Sequence, residues 1–208
     1  MPEPVTLRVE RGVARLALSR PPRNVMTTEV FGELARLVRD VLPGLDVRGM
    51  VVQGSGRHFS SGADIEEIRG KLTAPGGKEG TGFLQDNVET LLALERLPYP
   101  VVAAVRGCCF GVGLELALAC RWRVASPRAV FAMPEVSYGL MPGCGGTVRL
   151  REIAGTGRAV ELILTGRLFG AGEALELGIV DLLDEDPGKA AENIIEKLGT
   201  PGRPRVKA

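Results

Sequence analysis

The stretch from Pro100 to Arg121, P-VVAAV-RGCCFGVG-LELALAC-R, constrains this chain more than any other. Val101 to Val105 read as a buried strand, Gly107, Gly111 and Gly113 as a tight turn, and Leu114 to Cys120 as the start of a helix. A strand that turns at once into a helix leaves N–H groups unpaired at the helix N-terminus. Partial positive charge gathers there, and an anion or oxyanion can be held. Glu115 interrupts the apolar run, between Leu114 and Leu116. Its carboxylate either lies on a solvent stripe, with Arg121 and Arg123 beyond it, or is buried for chemical use at a cost of several kcal/mol. The local sequence leaves both readings open.

A length of 208 residues suits one domain whose core needs no staples. Hydrophobic residues at 45% and charged residues at 25% describe a globular protein, and a net charge of +1 gives no general attraction for nucleic acid or anionic membrane. Cys108, Cys109, Cys120 and Cys144 form no C-x-x-C pair, and three of the four fall in the apolar centre. That favours buried, reduced thiols in a cytosolic or organelle-matrix setting, taken here as cytoplasmic, over a disulfide framework. A single histidine, His58, leaves no metal-ligand set. MPEPVTLRVE has no apolar h-region and no run of 18 apolar residues occurs, so neither secretion nor membrane spanning is expected.

Along the chain, Val5 to Leu18 alternates as two short strands around a turn. Asn24 to Val41 has helical spacing with Thr27 or Thr28 as N-cap, and Pro43-Gly44 ends it. Gly49 to Gln53 is a buried strand, followed by the polar loop G-S-G-R-H-F-S-S-G-A-D and a helix from about Ile65. The glycine-rich residues 70–82 read as a mobile surface insertion, with helix again from Phe83 to Arg96. Beyond the central stretch, Trp122 to Ala125 and Ala129 to Ala132 read as strands, and helices follow from about Gly145, over Gly157 to Leu164 and over Ala171 to Leu177. Val180 to Leu183 is a last strand. The expected organisation is an α/β core over residues 1–183, then a short helix (Lys189 to Leu198) and a disordered basic tail within residues 184–208.

Five segments in order resemble the crotonase superfamily of enoyl-CoA hydratases and isomerases: L-S-R-P-P-R-N-V-M, H-F-S-S-G-A-D-I, V-R-G-C-C-F-G-V-G-L-E-L-A-L-A-C-R-W-R-V-A-S, F-A-M-P-E-V-S-Y-G-L-M-P-G-C-G-G-T-V-R-L and L-T-G-R-L-F-G-A-G-E-A-L-E-L-G-I-V-D. Each alone is weak, but the ordered set spans nearly the whole chain and is specific. The resemblance implies an α/β spiral of repeated ββα units and an acyl- or enoyl-CoA thioester as substrate. Coenzyme A then belongs to the substrate, with no separate cofactor, metal or nucleic-acid partner.

By position in those motifs, the backbone N–H groups of Ala63 and Val112 would form an oxyanion hole for the thioester carbonyl. Such donors, preorganised in a dry pocket, typically lower a barrier by about 3 kcal/mol each. Gly62, Gly111 and Gly113 would allow close backbone approach and unusual φ. Glu115 and Glu135 match the two glutamates of the hydratases, whereas members that only move a double bond generally need the second alone. Without the resemblance, Glu135 reads as a surface turn acid after Pro134. Coenzyme A would lie near Ala63, Asp64, Ile65 and Gly111, with Val25 beside it and Arg23 near the phosphates. Asp64 equally suits the N-cap of the next helix, and Arg23 a solvated turn. Two departures stand out: Val112 replaces the family's usual glycine, and the chain carries fewer residues after G-I-V-D than the family's covering helices need. Trimer-based assembly is expected, weakened by that shortening.

Overall fold

Alternating V-T-L-R-V-E and V-A-R-L-A-L pair as the hairpin β1 (Val5–Glu10) and β2 (Val13–Leu18), with Val5 opposite Leu18. Arg11 and Gly12 turn it, both at positive φ, the backbone twist that tight hairpins need. A computed structural model describes residues 3–73 and 79–198. Parallel strands extend the hairpin into a six-stranded sheet: β3 (Gly49–Gly54), β4 (Val101–Val105), β6 (Trp122–Ala125) and β9 (Leu182–Leu183), in the order β1-β2-β3-β4-β6-β9. Every residue of β4 is buried, because helices cover both faces, and this is why V-V-A-A-V shows no alternation.

A second sheet, β5 (Cys108–Phe110), β7 (Val130–Ala132) and β8 (Phe169–Gly170), stands beside the first. The chain alternates between them: β4, β5, then α4 (Val112–Ala119); β6, β7, then a 3-10 turn (Pro134–Tyr138) and α5 (Gly146–Thr165). This is the ββα repetition the sequence leads one to expect. After β3 the second strand shrinks to single bridges, Ser60 with Cys109 and Met26 with Ala63, which still bring the Ser60–Asp64 loop against β5. The main core lies between the sheets and α1 (Thr28–Arg36), α3 (Glu79–Glu95), α4 and α5, around Phe59, Phe131, Leu114 and Met133. On the large sheet's other face, Ala190, Ala191 and Ile195 of α7 (Pro187–Leu198) pack against Val51, Val102 and Val124.

Several expectations change. Residues 70–82 are not a loop throughout: α2 (Ile65–Thr73) runs into them and α3 begins at Glu79, the two held together in part by Lys71 over the Phe83 ring, 4.4 Å from its centroid. Residues 74–78 of that stretch, and the basic tail from 199 on, lie outside the described residues. The turn between β4 and α4 contains a strand, β5, paired parallel with β7. The helices from Gly145 and Gly157 are continuous apart from a break at Gly155, where φ is 78° and ψ 159°. Three cysteines are buried, Cys109, Cys120 and Cys144, while Cys108 is half-buried; all four thiols are free.

Candidate active site

Buried Asn24 and Ser60 hold the loop that carries Ala63. Asn24 Nδ2 donates to the carbonyls of Ser55 (2.9 Å) and His58 (2.7 Å), and Ser60 Oγ donates to the Asn24 carbonyl (2.8 Å) while accepting from the Gly62 N–H (3.1 Å). Gly62, at φ +96°, leaves only 3.1 Å between an added Cβ and the Phe110 carbonyl, so this loop touches the end of β5. The Met26 N–H donates to the Gly62 carbonyl, and the Asp64 N–H to the Met26 carbonyl. Backbone groups alternate along an extended segment, so the Ala63 N–H turns away from Met26. At the head of α4, Gly111 as N-cap has φ +51°, and Val112 is the first helical residue. Neither the Ala63 nor the Val112 amide has a hydrogen-bond acceptor among the described residues. Both residues line one cavity of about 1000 Å³.

Glu115 and Glu135 line the same cavity. Helix α4 is buried along its whole length and Glu115 is 1% exposed, which overturns the solvent-stripe reading. Glu115 Oε1 accepts two backbone N–H groups, from Cys144 (2.8 Å) and from Gly146 (2.7 Å) at the N-terminus of α5. Burial raises the Glu115 pKa, and these two amides together with the Arg149 guanidinium counter it in part. Glu135 sits on the 3-10 turn with Oε2 buried and unpartnered, so it is not a surface turn acid. Burial lifts its pKa to about 7; its own backbone N–H opposes the shift and nearby Glu115 adds to it. Both carboxyls are thus pushed towards their neutral forms, and as close like charges they resist joint ionisation.

The other sequence-derived candidates gather around this cavity. Val25, Ile65 and Gly111 line it, as does exposed Arg23, whose carbonyl accepts from the Ser61 N–H (2.9 Å). Asp64 also lines it, yet its Oδ1 accepts from the N–H groups of Glu66 (3.0 Å) and Glu67 (3.2 Å), the N-cap role. Gly113 has no unusual φ: its bareness admits Ser60, whose Cβ would lie 2.7 Å from an added carbon. His58 Nδ1 accepts from the Cys108 N–H (3.1 Å), a structural bond. Phe31, Phe83, Leu84, Leu140, Met141 and Leu168 make the apolar wall. Sequence reasoning missed Cys144, Gly146 and Arg149, since nothing in G-C-G-G-T-V-R announces that it grips Glu115. Among the described residues no helix is long and apolar enough to cross a membrane, and no cluster of side chains could hold a metal ion.

Residues 8–195 match the sequence profile of the enoyl-CoA hydratase/isomerase family. The chain belongs to that family. It is 36% identical over 189 residues to a "Probable enoyl-CoA hydratase" of Bacillus subtilis (strain 168), covering 90% of this chain and 72% of that protein. With the "Probable enoyl-CoA hydratase EchA17" of Mycobacterium tuberculosis (strain ATCC 25618 / H37Rv) it shares 39% identity over 172 residues, 83% of this chain and 64% of the relative. Among solved structures, the enoyl-CoA hydratase of Bacillus anthracis superposes with a TM-score of 0.86 at 30% identity, over 96% of this chain and 78% of the other. A Thermobifida fusca YX protein solved with acetoacetyl-CoA gives 0.84 at 34% identity over 94% of this chain and 80% of the other. The family fold expected from the five motifs is therefore the fold of this chain.

Proposed function

We propose that this protein is an enoyl-CoA hydratase that adds water across the α,β double bond of an enoyl-CoA thioester. The observation that carries the reading is the meeting, in one cavity, of two acceptor-free amides (Ala63, Val112) with buried Glu115 and half-buried Glu135. The amides receive the thioester oxygen and stabilise the enolate-like charge that builds there as the β carbon is attacked. Glu115, its Oε1 fixed by two N–H groups, acts as the carboxylate that holds water and takes its proton. The hydroxyl oxygen bonds to the β carbon, the α,β π-bond electrons become the enolate, and protonated Glu135 supplies the proton to the α carbon. A proton passing from Glu115 to Glu135 restores the starting state.

The bound acetoacetyl-CoA of the Thermobifida fusca protein supports an acyl-CoA thioester as the ligand. The coenzyme A portion lies across Arg23, Val25, Ala63, Asp64 and Ile65, with the acyl chain against the apolar wall. Coenzyme A is part of the substrate and no other cofactor takes part. A role in fatty acid metabolism, trimer-based assembly and a cytoplasmic location complete the reading. A hydration assay across enoyl-CoA chain lengths, with Glu115→Gln and Glu135→Gln alongside, tests it. Both variants lose hydration if the reading holds. Isomerisation that survives Glu115→Gln, with no hydration by the parent protein, makes the chain an isomerase; thioester binding without any turnover makes it a binding protein.

A further inference from the structure

Arg149 and Glu95 each stand at the helix end that disfavours their charge. Arg149 lies one turn into α5, near the positive N-terminus, and Glu95 is the last residue of α3, at the negative end. They nevertheless pair, Arg149 Nε on Glu95 Oε1, with the arginine side chain 9% exposed. With Glu95 still 34% exposed and both charges placed against their helix dipoles, the pair gains little for stability alone. What the pair does is visible at Cys144. Arg149 Nη1 donates to the Cys144 carbonyl (2.6 Å), while the Cys144 N–H donates to Glu115 Oε1 (2.8 Å). The second amide on that oxygen, Gly146, tolerates no side chain: an added Cβ would lie 2.8 Å from Glu115 Cγ and Oε1.

From this chain of contacts we infer that Arg149, anchored by Glu95, is a positioning residue: it fixes the Cys144–Gly146 turn whose amides aim the Glu115 carboxylate into the cavity. Its effect on turnover rests on the hydratase reading; its effect on Glu115 does not. The groups that bear on Glu115 and Arg149 come from every packed element: Glu95 from α3, the Cys120 thiol from the end of α4, Glu135 from the 3-10 turn, and the Cys144 thiol from the turn itself. Arg149 supplies the positive charge that lowers the Glu115 pKa, so its loss removes both a clamp and a charge.

The test is a carbon-13 carboxyl titration of glutamate-labelled protein, with the Glu115 signal assigned by its absence from Glu115→Gln. In Arg149→Gln the Glu115 midpoint moves up by about one pH unit or more. Arg149→Lys, which keeps the charge and loses the fork, and Glu95→Gln, which frees the anchor, move it less. In the enoyl-CoA assay Arg149→Gln lowers kcat at least about tenfold with KM changed less than about twofold, and Arg149→Lys recovers part of the loss. Glu115 titrating in Glu95→Gln and in both Arg149 variants as it does in the parent protein overturns the inference. Should Arg149→Gln not fold, Arg149→Lys and Glu95→Gln decide it. A parent protein without turnover defeats the hydratase reading and leaves the titration to judge Arg149 separately.

Discussion

Gly111 and Glu135 occupy space that no other residue at 111 could share: a β-carbon there would lie 2.8 Å from Glu135 Oε1, at a backbone φ of +51°. The residue that caps α4 and presents the Val112 amide thus also makes room for the carboxyl. Gly111→Ala should therefore strain the backbone by about 1 kcal/mol or more and displace Glu135. A fall of at least about tenfold in kcat, with a lower melting temperature, is the expected result of steady-state kinetics and thermal melts. Unchanged kcat would separate Glu135 from the chemistry.

The Val112 amide can be removed without breaking its helix, because proline is tolerated at the first helical position. Val112→Pro should cost about 3 kcal/mol of barrier, a drop of about 10²- to 10³-fold in kcat. Circular dichroism checks that the fold survives. A variant that keeps its helix and its activity places the thioester oxygen elsewhere.

Turnover that needs protonated Glu135 should fade with alkalinity. A pKa raised to about 7 means the acid form is present below that pH and lost above it. The profile of kcat/KM should fall as pH rises through about 7, with an acid limb where Glu115 also protonates. Rates measured from pH 5 to 9 check this, and a profile still level at pH 9 speaks against the acid role.

Stability should respond in the same window. Raised from 4.5 to about 7, the Glu135 pKa makes the folded state bind a proton that the unfolded state releases between those values. The resulting stabilisation is complete below about 4.5 and is lost as pH rises through about 7. Glu135→Gln has no charge to desolvate, so at pH 8 it should be more stable than the parent by on the order of 2 kcal/mol, and close to it at pH 5. Denaturant melts at the two pH values measure the difference; equal stability at pH 8 would mean that Glu135 ionises without penalty.

Local signals carried much of the fold. The hairpin ends fall where alternation places them, Val5 to Leu18, because one face is buried and period-two patterning is strong. Thr27 caps its helix, accepting from the Val30 N–H at 3.3 Å, as a short polar residue before an apolar repeat leads one to expect. In residues 105–115 the strand, turn and helix start are legible locally, while the roles of Val112 and Glu115 come from the family resemblance. Residues 70–82 mislead, since glycine content speaks for loop while the packing of α2 on α3 favours helix at both ends. Glu135 looks like a turn acid because its burial comes from distant elements. Arg149 and Glu95, 54 residues apart, meet only through the stacking of α3, α4 and α5, which no local pattern encodes.

In the proposed hydration, water enters at the β carbon between Glu115 and Glu135. Crotonyl-CoA incubated with the protein in ¹⁸O-labelled water, with the product analysed by mass spectrometry, tests it most directly. The expected product is a 3-hydroxyacyl-CoA carrying one heavy oxygen, formed at least about 10²-fold more slowly by Glu115→Gln and by Glu135→Gln. A parent protein that binds the thioester yet yields no labelled hydroxyacyl product, or a Glu115→Gln variant that labels it at the parent rate, would rule out hydration at this site.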